Sequence, residues 1–318
     1  MERNGNHRFI PAGTLAWVLL GGLASSASAQ LIDPGAVDEV HEAQAEHADQ
    51  AELVALVASG QTEEAFEEAF ELGDELFETT FNILDGVGAN VGQGQRFTRV
   101  PRADLTGSGE WANHVPARAT GPNGQACNQC HGVPADDGSG HANSNVHRDP
   151  FQRGNLSSFI ERNTPHVFAP GALQRLAEEM TEELHGIRDR AASRACAVRF
   201  PVQASLRTKG VSFGRIVARP FGFPCRTRLD TRGVRGLDED LVVKPFQWKG
   251  NEPTLRSFNR GASHNELGMQ AVELVGPGVD GDFDGVTDEM TVGDQTVLAV
   301  YLAAQPRPTT LQELTSLG

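Results

Sequence analysis

No stretch of this sequence stays apolar for the ~20 residues that a bilayer-spanning helix needs, and the longest candidate, Leu15 to Leu23, contains two glycines. Arg3 and Arg8 precede that run and the small-residue stretch Ala24 to Ala29 follows it. Basic, apolar and A-x-A segments in that order read as a secretory signal peptide cleaved after Ala29, and the run is too short for a membrane anchor. The mature chain is therefore expected to be soluble, with no membrane span, and periplasmic. Lysine and arginine are missing between Asp33 and Asp85, where 16 acidic side chains stand alone. Without residues 1–29 the chain has 41 acidic and 25 basic residues, and the excess lies wholly in that segment because residues 86–318 balance. Nucleic-acid binding through phosphate neutralisation is thereby disfavoured. No internal repeat is present.

These features divide the chain into a signal peptide (1–29), an acidic helical region (30–95) and a larger domain (96–318) with an insertion at about 198–246. Val37 to Val57 and Thr62 to Leu84 read as helices. In the second, Phe66, Phe70, Phe77, Phe81 and Leu84 fall on one stripe between acidic residues. That pattern suits a helix with a solvated acidic face, and also a docking surface for a basic partner. Gly, Pro, Asn and Asp dominate from Arg96 to Asp149, which predicts loop with a short helix near residue 130. Helical patterning returns at Leu173 to Arg194, with Leu176, Met180, Leu184 and Ile187 on the apolar side. Residues 198–246 mix β-branched residues with Pro and Gly and favour short strands or irregular structure. Val292 to Ala304 reads as a last helix, stopped by Pro306 and Pro308.

The chemistry concentrates at Cys127-Asn128-Gln129-Cys130-His131. Two thiols on one helical turn can each add to a haem vinyl group, and the next residue then offers an imidazole to the iron. With four Cys and ten His in the chain, chance is a poor explanation of that pattern. Zinc would need four N or S ligands, usually from a second CxxC or an HxxxH pair, and none is present. A thioredoxin-like CxxC would sit beside a βαβ pattern, whereas this one lies among loop residues. The reading is one haem c, held by Cys127 and Cys130, with His131 as an axial ligand.

Cys196 and Cys225 remain, and in an oxidising compartment they read as a disulfide rather than two buried thiols. The bridge would close a loop worth about 3 to 4 kcal/mol in the chain-entropy model. Asp280, Asp282 and Asp284 alternate around Gly281 and Gly285, with Asp288 and Glu289 following. Carboxylates at alternate positions with a glycine at the sharp turn can wrap Ca2+, although Thr291 stands where an EF-hand has Glu; a solvated acidic turn is the alternative. For the distal side of the iron, Met269 lies C-terminal to CxxCH and before the last helix. Met290 sits inside the acidic loop and Met180 on a helical apolar stripe. His147 is the histidine alternative, 16 residues after His131, with His141 and His166 behind it. An open distal site is the third option.

Residues 121–140 (GPNGQACNQCHGVPADDGSG), 162–173 (RNTPHVFAPGAL), 248–269 (WKGNEPTLRSFNRGASHNELGM) and 284–306 (DGVTDEMTVGDQTVLAVYLAAQP) resemble, in this order, the di-haem oxidoreductase family of thiol oxidoreductases. That family is related to bacterial di-haem cytochrome c peroxidases, and the similarity runs from about Phe70 to Pro308. It implies a mostly α fold, a cytochrome c-like helical core with long irregular and short-strand insertions, together with haem c and periplasmic redox chemistry. It carries Cys127, Cys130 and His131 over as the first haem site, and related peroxidases use a removable His at about the separation of His147. Family members continue into a second CxxCH domain, whereas this sequence has one CxxCH and ends at Gly318. The leading expectation is an electron carrier exchanging single electrons with a redox partner protein, a separately encoded second haem domain among the candidates. The alternatives are a peroxidase-like haem oxidoreductase with an open distal site and a scaffold module of an envelope redox complex.

Overall fold

The computed structural model describes residues 44–87, 115, 124–134, 137–140, 146–148, 160–247 and 250–317. The signal segment, His141 and the side chain of His147 lie outside the described residues. Helix α1 (Gln50–Ala58) starts at Asp49, whose carboxylate accepts the Ala51 N–H at 2.7 Å and so satisfies one of the unpaired donors of the first turn. Helix α2 (Thr62–Glu78) follows. One short turn, α3 (Asn128–His131), carries the CxxCH, and a small antiparallel pair, β1 (Val146–Arg148) and β2 (Ile160–Arg162), comes next. Helix α4 (Pro170–Val198) has Pro at its first position, where the missing N–H costs no intrahelical bond.

Strands β3 (Val202–Thr208), β4 (Val211–Phe221) and β5 (Arg226–Asp230) form an antiparallel sheet in that order. Lys209 and Gly210, both at positive φ, make the two-residue turn that matches strand twist and sets Thr208 opposite Val211. Pro220 is tolerated in the middle strand because pairing with β3 ends at Ala218, so its absent N–H faces no third strand. Then come α5 (Leu255–Ala262), a wide π-type turn (Ser263–Leu267), α6 (Val272–Val275), α7 (Val292–Ala304) and α8 (Leu311–Ser316). Both α5 and α7 begin with reciprocal Thr caps, Thr254 with Ser257 and Thr291 with Asp294.

Two cores result. In the first, Leu53, Leu76, Phe77 and Phe81 pack on Leu255, Leu267, Met269, Met290, Leu298 and Tyr301. The buried side of α2 is made of Ala65, Ala69, Gly73, Leu76 and Phe77, while Phe66, from the expected stripe, is 51% exposed. A Cβ on Gly73 would come within 2.6 Å of the Tyr301 Cβ, so the small residues let α2 lie close against α7. In the second core, Leu184, Ala191 and Ala195 of α4 cover Leu206, Ile216 and Ala218 of the sheet. The N-terminal end of α4 is tied to the start of α5, where the Gln174 side chain accepts the Leu255 N–H at 2.8 Å.

The expected mostly α, cytochrome c-like helical core is not what forms. Helix accounts for 44% and strand for 14%, a mixed α/β arrangement with a three-stranded antiparallel sheet. Of the short strands or irregular structure expected at 198–246, residues 202–230 form strands, and their inward positions complete a core with α4. No helix among the described residues is long and apolar enough to cross a membrane. Cys196 and Cys225 are joined in a disulfide that ties the end of α4 to the turn between β4 and β5.

Candidate functional site

The turn that carries Cys127, Cys130 and His131 closes on itself: the Cys127 carbonyl accepts N–H bonds from Cys130 and His131, both at 3.1 Å. Neighbouring backbone holds it from two directions. Phe81, just beyond α2, donates its N–H to the Gln125 carbonyl at 2.9 Å, and Gly124 donates to the Glu266 carbonyl at 2.9 Å. The second contact fastens CxxCH to the π-type turn that leads directly into Met269. On the other side, Val133 and Ser139 exchange backbone hydrogen bonds, Gly140 donates to Thr164 at 3.0 Å, and Val167 donates to Gly138 at 3.0 Å. Residues 164–167 are thereby drawn against His131.

Cys127 packs against the first core, and burial followed by the neighbouring Cys130 pushes its thiol up to about 12. A dithiol redox centre needs the opposite shift, toward thiolate. Burial pushes the His131 imidazole down to about 4, with the Pro165 and Gly138 carbonyls pulling the other way. The ring is therefore neutral at pH 7 and keeps a lone pair for a metal. Its Nδ1 is buried without a hydrogen-bond partner, and the ring meets Phe77 at a centroid distance of 6.0 Å. Phe77 in turn packs on Tyr301 at 5.4 Å, and the Tyr301 hydroxyl donates to Asp137 at 3.1 Å.

The donor set suits a covalently bound haem: two thiols and a neutral, half-buried imidazole within one turn, beside an apolar core. Met269 (0% exposed) and Met290 (1% exposed) belong to the same core that Cys127 packs against. Met180 is buried on α4, as expected for a core position. His166 is exposed, stacks on Phe168 and accepts the Phe168 N–H at 3.2 Å, so it turns away from that core. Sequence reasoning passed over His264, which is 4% exposed in the π-type turn next to Gly124 and Met269. A single interior histidine carries no periodic or motif signal, and only the fold reveals its place.

The acidic loop is held separately. Among the described residues, the one group of His, Cys, Asp or Glu side chains close enough to share a metal ion is Asp280, Asp282 and Asp284. Asp288 accepts the Gly278 N–H at 2.7 Å, whereas Glu289 is buried. Comparison with protein families, with curated proteins and with solved structures finds no match for this chain.

Proposed function

We propose that this chain is a periplasmic c-type haem protein that exchanges single electrons with a redox partner. The observation that carries the reading is the single turn holding Cys127, Cys130 and the neutral, half-buried His131, set against a core that contains Met269. Cys127 and Cys130 would hold the haem through two thioether links, and His131 would offer its imidazole nitrogen to the iron. Bound haem supplies reversible one-electron chemistry, with a potential tuned by axial ligand and burial. Met269 is the distal candidate because it follows the turn anchored to Gly124 and lies in an interior closed to water; a thioether there raises the potential relative to histidine. Phe77, itself packed on Tyr301, lies against the His131 ring. The Cys196–Cys225 bridge supports an oxidising compartment, and with it export. A cleft lined by Glu46, Glu52, Glu68, Glu71 and Glu75 offers a basic redox partner a surface of opposite charge.

Absorption and EPR spectra of both oxidation states test this reading. The expected result is a low-spin haem with the near-infrared band of methionine-ligated ferric iron, lost in Met269→Ala. A high-spin ferric spectrum in the wild type, with rapid reaction toward peroxide, would overturn the carrier reading in favour of a haem enzyme with an open distal site.

A further inference from the structure

Asp280, Asp282 and Asp284 lie on the loop between α6 and α7 and bring one carboxylate oxygen each within 4.8 Å of the others. Acidic turns of that kind are common at protein surfaces, so the trio decides nothing without what lies beneath it. Glu289 is 2% exposed; its Oε2 accepts the Gln270 N–H at 2.9 Å, and its Oε1 is buried without a hydrogen-bond partner. Gly86 lies so close over this side chain that a Cβ there would come within 2.6 Å of the Glu289 Cγ, so backbone covers the carboxylate on that side. Gln270 joins the carboxylate to the loop, because its own side-chain oxygen accepts the N–H of Gly281, between Asp280 and Asp282, at 2.9 Å. Glu289 and the three Asp side chains thus bring four carboxylates to this part of the fold. Between Gly261 and Pro306 the chain has no Lys or Arg that could offset them.

We propose that Asp280, Asp282 and Asp284, with the buried Glu289 tied to their loop through Gln270, form a binding site for a hard divalent cation of the calcium class. Carboxylate oxygens are the ligands such ions take, and a buried carboxylate linked through Gln270 to a loop of three others is costly unless a cation compensates it. Asp288 closes the loop on Gly278 and stays outside the shell. The site is also placed to matter for the core. Glu289 precedes Met290, and Gln270 follows Met269, so an ion here fastens the paired segments at Ala271 and Met290 that carry both buried methionines. This inference does not depend on the haem reading.

The test is titration of the EDTA-treated mature protein with CaCl2, followed by calorimetry and by thermal unfolding. One site is expected, with a dissociation constant no weaker than roughly 10⁻³ M and an unfolding midpoint that rises with added Ca2+. Glu289→Gln retains an acceptor for the Gln270 N–H, so it should fold with a Ca2+-free midpoint at or above wild type, yet bind Ca2+ at least tenfold more weakly. Asp282→Asn should likewise weaken binding. Absence of heat and of any midpoint shift in the wild type up to about 10 mM Ca2+, or unchanged binding by a folded Glu289→Gln protein, would overturn the proposal.

Discussion

Asp294 is fully buried, and its charge is met from three directions at the start of α7. Its Oδ1 accepts the Ala48 N–H at 2.9 Å, its Oδ2 accepts the Thr291 N–H at 2.7 Å, and the His47 Nδ1 lies 2.8 Å from the same Oδ2. The hydrogen bond to Asp294 raises the His47 pKa above 6.5 against the opposing effect of burial, and the charges of Asp294, Asp85 and Asp288 add to the rise. A folded-state value above the unfolded one gives stability that is fully present below the unfolded value and is lost as pH rises through the folded value. Between about pH 6 and pH 9 the wild-type unfolding midpoint should therefore fall more steeply than that of His47→Gln; parallel profiles would contradict the assignment. His47 illustrates what a sequence conceals at this scale. Cys127, Cys130 and His131 are legible because they stand together in one short motif, whereas His47 and Asp294 meet across 247 positions and neither is unusual in its own neighbourhood.

At the scale of elements, close approach of α2 and α7 depends on Gly73. Alanine is favoured over glycine in a helix by about 1 kcal/mol, so Gly73→Ala would stabilise an isolated α2. In the protein the added methyl group would collide with Val297 and Tyr301, and overpacking of that kind costs about 1 to 3 kcal/mol. The expected outcome is net destabilisation in chemical denaturation, and a more stable variant would show that the two helices can separate at no cost. The same packing explains which elements could be read in advance. Val292–Ala304 forms with the bounds expected from its sequence and the prolines beyond it, and Thr291 caps its start. Helix α2 forms too, and Phe77 and Phe81 of the expected stripe are buried, but Phe66 is exposed and the small residues Ala65, Ala69 and Gly73 share the buried side, because distance to a neighbouring helix is a tertiary property. Helix α4 outruns its expected bounds at both ends. The sheet was read only as short strands or irregular structure, since arginine, glycine and proline dilute its alternation and its core exists only once α4 lies across it.

At the scale of the molecule, segments far apart in the chain converge on one turn. Gly124 is held by Glu266, and residues 138–140 are held by residues 164–167, which is how the Pro165 carbonyl comes to act on His131. Order along the sequence suggested that these segments belong together, but nothing local indicated which atoms would meet. The fold around them is mixed α/β, so the haem reading stands on the residues of the turn and on the core beside it, not on overall architecture. Its most direct test is pyridine haemochrome analysis and intact mass of the mature protein, produced alongside a cytochrome c maturation system. The account predicts one covalently attached haem per chain, lost in the Cys127→Ala, Cys130→Ala double variant and not stably incorporated in His131→Ala. A folded wild-type protein that leaves such cells without covalent haem would contradict it.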